Sequence, residues 1–177
     1  LGDFVKGPLQ GQYPETVEKG IALHRKLDVY TDAQPEVQNL IRTFSPQWRR
    51  FAGIILDITF DHLLATRWQE YHSLSLDHFC QRFYRHLNTC QDWLPTRAQH
   101  FSQRAPGIRW LQSYADKALI PIMLNRVGER LRRPVPLGDA WPEIVDRHGE
   151  VEQVFSALMP RLHTYAQELR FASLTPT

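Results

Sequence analysis

One stretch constrains this chain more than any other. Gly53-Ile54-Ile55-Leu56-Asp57-Ile58-Thr59-Phe60-Asp61-His62-Leu63-Leu64, wound as a helix, is apolar almost all round. Such a helix belongs in a core. It nevertheless carries Asp57, Asp61 and His62. Residues four apart are turned by only about 40°, so Asp57 and Asp61 share a face. Buried carboxylates are costly unless they are paired or bound to a cation. Two on one face repel each other, and a divalent ion is the simplest remedy. His62 lies about 100° round from Asp61 and can edge the same pocket.

The remaining pattern is helical too. Prolines recur at the starts of apolar-periodic stretches, where proline suits the first helical turn. A short piece over 1–6 ends at Gly7-Pro8. Helices are predicted over 14–31, 35–44, 46–71, 76–94, 96–103, 107–117, 118–131, 137–148 and 150–171. The segment 46–71 is the longest, with Ser45 as its cap. Alternating strand patterns are absent. The chain has 177 residues. That length suits one all-α domain, a helical bundle over 1–172 with a frayed tail at 173–177.

Composition excludes several classes. With 42% hydrophobic and 23% charged residues, the chain is neither disordered nor extreme in character. Its longest apolar runs stop far short of the roughly 18 residues that cross a membrane. Lys and Arg number 21 against 19 Asp and Glu, so no global nucleic-acid signature appears. Cys80 and Cys90, placed on one helix, would sit about 15 Å apart, too far for a disulfide. Reduced thiols fit the cytoplasm. No signal peptide, phosphate-binding glycine loop, nucleophile elbow or zinc-finger spacing is present.

A second acidic and histidine set is His24, Asp28 and Asp32, again at steps of four, and Asp3 stands apart. Imidazole and carboxylate donors suit Mn²⁺, Fe²⁺, Zn²⁺ or Mg²⁺ held between helices. Other accounts stand beside this one. Asp28 and Asp32 can be solvated, or paired with Arg25, Lys26 or Arg42. Asp57 and Asp61 can pair with Arg49, Arg50 or Arg67. His62 can be a satisfied core histidine, and Asp3 a turn cap. Trp48, Trp68, Trp93, Trp110 and Trp141 read as core. Arg49 and Arg50, and Arg126, Arg130, Arg132 and Arg133, form basic clusters: solvated helix faces, or a dock for an acidic partner.

Three runs carry a resemblance: Gly2-Asp3-Phe4-Val5-Lys6-Gly7, His24-Arg25-Lys26-Leu27-Asp28-Val29-Tyr30-Thr31-Asp32, and Leu56-Asp57-Ile58-Thr59-Phe60-Asp61-His62-Leu63-Leu64. With Trp110-Leu111-Gln112-Ser113-Tyr114, they are similar to the bacterial acyl carrier protein phosphodiesterases. The resemblance implies an all-helical fold of the HD metal-dependent phosphohydrolase type. It implies removal of the 4′-phosphopantetheine arm from holo acyl carrier protein, with Mn²⁺ as cofactor and Mg²⁺ as a substitute. No nucleic-acid or membrane partner is expected. Metal ligands are expected at Asp3, His24, Asp57 and Asp61. Asp28 would serve as general base and His62 as proton donor. Lys6, Arg25 and Asp32 would contact substrate, and the arginine clusters would dock the acidic carrier. The family also has a histidine-rich segment ahead of the Gly-Asp-Phe run, whereas this chain begins at Leu1. Two alternatives stay open. One is an HD-like phosphohydrolase acting on a nucleotide or alarmone. The other is a non-enzymatic helical binding protein.

Overall fold

Proline and serine set many of the helix starts. The computed structural model describes Val5 and residues 7–172. Its helices are α1 (Glu15–Asp32), α2 (Pro35–Thr43), α3 (Pro46–Arg49), α4 (Ala52–Thr66), α5 (Leu76–Thr89), α6 (Thr96–Arg104), α7 (Trp110–Ser113), α8 (Ile120–Gly128), α9 (Trp141–Asp146) and α10 (His148–Ala172). Short 3-10 turns occupy Trp68–Glu70, Gln91–Trp93, Lys117–Leu119 and Leu137–Ala140. No strand occurs among the described residues, so the fold is all-α as expected. Proline stands in the first turn of α2, α3, α8 and α9, where its missing N–H removes no helical bond. Ser75 caps α5, its hydroxyl accepting from the His78 N–H.

The expected continuous helix over 46–71 is broken twice. At Phe51 the backbone turns (φ −110°, ψ 0°), and Trp48 and Phe51 both pack against the core. At the far end the Thr66 hydroxyl donates to the carbonyls of His62 and Leu63, which competes with helix continuation. The longest helix is instead α10, at 25 residues, with Pro160 inside it. The helix expected over 107–117 shrinks to α7, because Arg109 before it adopts a left-handed conformation (φ 48°).

The aliphatic face of α4 is the centre of packing. Ile55, Leu56, Ile58 and Leu63 are buried in one cluster with Phe44 just after α2, Leu124 of α8 and Phe155 of α10. Each such side chain contributes about 1.5–3 kcal/mol when fully buried. α1 lies antiparallel along α10: Tyr30 stacks on Tyr165 at 4.3 Å, while Gln34 and Glu36 both reach Arg161. A smaller cluster joins α5, α6 and α7 around Cys80, Tyr84 and Ala105. There the Tyr84 hydroxyl donates to Gln112 and accepts from the Leu111 N–H. Trp93 departs from the core expectation, being 43% exposed after α5.

Ser45 was expected to cap α3 with its own oxygen. Instead the Glu143 carboxylate accepts from both the Ser45 N–H and its hydroxyl, each at 2.8 Å. This ties α9 to the start of α3 across 98 residues of sequence. We expect Glu143→Ala to lower stability by about 1–3 kcal/mol in urea unfolding, since it orphans a part-buried donor pair. A change below a few tenths of a kcal/mol would refute this role.

Candidate functional site

α1 presents His24 and Asp28 one turn apart on a solvent-accessible side. His24 Nε2 lies 3.4 Å from Asp28 Oδ2, with both side chains partly exposed. One turn earlier is Gly20, where an added Cβ would meet nothing within 4 Å. Asp32 ends the helix, exposed, and its backbone carbonyl accepts from Gln38. Arg25, expected to contact substrate, is otherwise engaged. Its guanidinium donates to the carbonyls of Val5 (2.7 Å) and Gly7 (2.8 Å). This holds the chain on either side of position 6 against α1, next to His24. Asp3 and Lys6 lie outside the described residues.

The premise of a buried carboxylate pair on α4 is corrected. Asp57 and Asp61 are both exposed. The helix buries Ala52, Ile55, Leu56, Ile58, Thr59, His62 and Leu63. Its outward stripe runs Gly53, Asp57, Asp61 and Ala65, at steps of four. The large apolar residues therefore leave one narrow strip of small and acidic residues, and the carboxylates escape desolvation there. Arg49, Arg50 and Arg67 have other contacts. Arg49 donates to the Phe44 carbonyl, Arg50 lies over the Phe51 ring, and Arg67 pairs with Glu70 and Ser156.

His62, expected as the proton donor, lies on another side of the same helix. It points to the core side, not to the acidic stripe, and is 8% exposed. Its Nδ1 lies 2.7 Å from the Tyr114 carbonyl, 52 residues away. A carbonyl only accepts, so Nδ1 carries the hydrogen. The ring meets Trp141 edge-on at 6.3 Å. This bond ties α4 to the chain after α7. Neither Tyr114 nor Trp141 was a candidate partner from sequence, because the separation gives no local signal. His24 lies beside Asp28 on α1, its side chain partly exposed but its Nε2 shielded from solvent. Cys80 offers no alternative nucleophile: it is fully buried, and that burial pushes its thiol pKa upward.

The donors have the right chemistry for a borderline or hard divalent ion. However, among the described residues no three His, Cys, Asp or Glu side chains converge on a point that could hold one. The described set thus does not by itself complete a metal site. We expect His62→Ala to destabilise the fold by about 2–3 kcal/mol, because it leaves the Tyr114 carbonyl without its donor. Thermal or urea unfolding measures this, and a variant as stable as the parent would refute the structural role.

With this geometry in place, comparison with known proteins is direct. The family described as acyl carrier protein phosphodiesterase matches residues 1–162. A protein of that name from Klebsiella pneumoniae subsp. pneumoniae is 33% identical over 168 residues, covering 94% of this chain and 87% of the relative. One from Serratia proteamaculans is 32% identical, covering 95% and 88%. One from Salmonella agona is 33% identical, covering 94% and 86%. No solved structure matches the chain. A family match over residues 1–162, with relatives of that name 33% identical over 94% of the chain, shows that the chain belongs to the acyl carrier protein phosphodiesterase family.

Proposed function

We propose that this chain hydrolyses the phosphodiester joining the serine of holo acyl carrier protein to 4′-phosphopantetheine. The observation that carries this reading is the family match across residues 1–162. In the reaction a bond forms from water oxygen to phosphorus, and the bond from phosphorus to the serine oxygen breaks. The departing serine oxygen takes up a proton, giving apo carrier protein and 4′-phosphopantetheine. Asp28 and His62 are the residues proposed to manage these protons. Asp28 would accept from the attacking water, and His62 would donate to the departing serine oxygen.

Mn²⁺, with Mg²⁺ as substitute, is the proposed cofactor; when bound it supplies an activated water and neutralises charge on the phosphoryl oxygens. Asp57, Asp61 and His24 would hold it together with Asp3. Their imidazole and carboxylate chemistry supports this. Two free thiols, Cys80 and Cys90, support a reducing cytoplasmic setting. No helix among the described residues is long and apolar enough to cross a membrane.

Of the two arginine clusters, the second is the better dock for an acidic carrier. Arg49 and Arg50 are occupied by Phe44 and Phe51. Arg126, Arg130, Arg132 and Arg133 are exposed, with Glu129 among them in the sequence. Ile122, one turn before Arg126, is 47% exposed and adds an apolar anchor. The loop bearing the last three is closed at its base, where the Val135 N–H donates to the Gly128 carbonyl. An added Cβ at Gly128 would collide with the Val135 carbonyl, so glycine is required at this close approach.

Mass spectrometry of holo acyl carrier protein, with and without Mn²⁺, tests the activity. Guanosine tetraphosphate in a parallel reaction tests the nucleotide alternative. We expect Asp57→Asn and Asp61→Asn to slow release of phosphopantetheine by about 10²-fold or more. We also expect these variants to lose Mn²⁺ in metal analysis while remaining as stable as the parent. Full activity with full metal content would refute the assignment. Reversing Arg126 and Arg130 to Glu should slow association with the carrier about tenfold at low salt and flatten its salt dependence. An unchanged association rate in stopped-flow would remove this surface as the dock.

A further inference from the structure

The guanidinium of Arg25 donates to the Gly7 carbonyl at 2.8 Å and to the Val5 carbonyl at 2.7 Å, 18 and 20 residues back. Neither carbonyl accepts a backbone N–H among the described residues. Main-chain oxygens need donors, and here the arginine fork supplies them where no helix or strand does. The loop that leads from Gly7 into α1 does not hold the run in place. Residues 8–12 are exposed or half-buried, and the bonds made there are local: the Gln10 N–H donates to the Gln12 side chain, and the Tyr13 N–H to Glu18. Two anchors remain for the run, the Val5 side chain, 4% exposed, and the Arg25 fork. Around α1, Arg25 stands about 60° from Asp28 and about 100° from His24. The run is therefore tied to the flank of α1 that adjoins this pair.

We propose that Arg25 is a positioning residue for the hydrolysis put forward above, and that it acts through the chain at 5–7 and not by contact with substrate. This rests on that hydrolase reading and replaces the substrate-binding role expected for Arg25. In sequence the run holds Asp3, an expected metal ligand, two residues before Val5, and Lys6 between the two gripped carbonyls. Two residues of chain reach at most about 7 Å, so fixing Val5 limits where residue 3 can lie. Arginine suits the task, because its planar fork presents N–H groups to two acceptors at once. Lysine carries the same charge at a single point and does not reproduce that geometry. Gly7 is the other half of the grip. Its φ of 84° is one that L side chains rarely adopt, and an added Cβ there would meet nothing within 4 Å. Alanine at this position strains the gripped backbone without touching Arg25.

Arg25→Ala, Arg25→Lys and Gly7→Ala test this in the full chain. The readouts are turnover of holo acyl carrier protein with Mn²⁺ and native-state cleavage after Lys6 by a lysine-specific protease. Such cleavage tracks the population in which the run has come loose. We expect all three variants to melt within about 5 °C of the parent and to be cut after Lys6 about tenfold faster. We expect kcat to fall about tenfold in each, with KM for the carrier little changed. Arg25→Ala combined with Gly7→Ala should be no slower than the worse single variant, because both act through one element. Equal cleavage in parent and variants overturns the proposal, and so does additive loss in the combined variant. A Gly7→Ala variant as active as the parent overturns it too. So does an Arg25→Lys variant that keeps full turnover while Arg25→Ala loses it, since charge and not the fork would then be what matters. Each of these leaves the hydrolase reading standing. A parent whose run is held by Arg25 in the cleavage assay, yet which releases no phosphopantetheine, supports the grip and refutes the hydrolase reading instead.

Discussion

Removing the aliphatic face of α4 from water is the interaction on which the other elements depend. Ile55, Leu56, Ile58 and Leu63 give α2, α8 and α10 a common surface to pack against. Burial is not directional, so this alone would leave the helices free to slide. Directional bonds remove that freedom. His62 locks α4 to Tyr114, Glu143 pins α3 to α9, and Arg67 joins the end of α4 to Ser156 of α10. Each is a single bond or pair whose partners are far apart in sequence, so each acts only once the core has formed.

The same burial fixes where chemistry can occur. A helix held by one face presents its opposite stripe rigidly. On α4 that stripe carries Asp57 and Asp61, and on α1 the corresponding face carries His24 and Asp28. Functional groups on packed helices keep their positions better than groups on loops. Glycines precede both sets by one turn, at Gly20 and Gly53, and neither is crowded.

Much of this was readable from residue order. The helical class, many of the helix starts and the central place of residues 53–64 follow from periodicity and proline placement. The outward stripe was readable too, since Gly53, Asp57, Asp61 and Ala65 recur every four residues. Treating the segment as apolar all round hid that strip, and so placed exposed carboxylates in a core. The breaks at Phe51 and Thr66 were less accessible. They depend on where Trp48 and Phe51 find the core and on a hydroxyl competing for backbone carbonyls.

What the sequence alone determined is the all-helical class, many of the helix starts and the family. These depend on local spacing and residue type, which a linear chain displays. Only the tertiary structure decided what each histidine meets. His62 and His24 look alike in sequence. One meets a carbonyl 52 residues away inside the core, and the other meets a carboxylate one turn away on α1. Tertiary packing also gave Arg25 the carbonyls of Val5 and Gly7, because they become its neighbours only when the run ahead of α1 folds back along that helix.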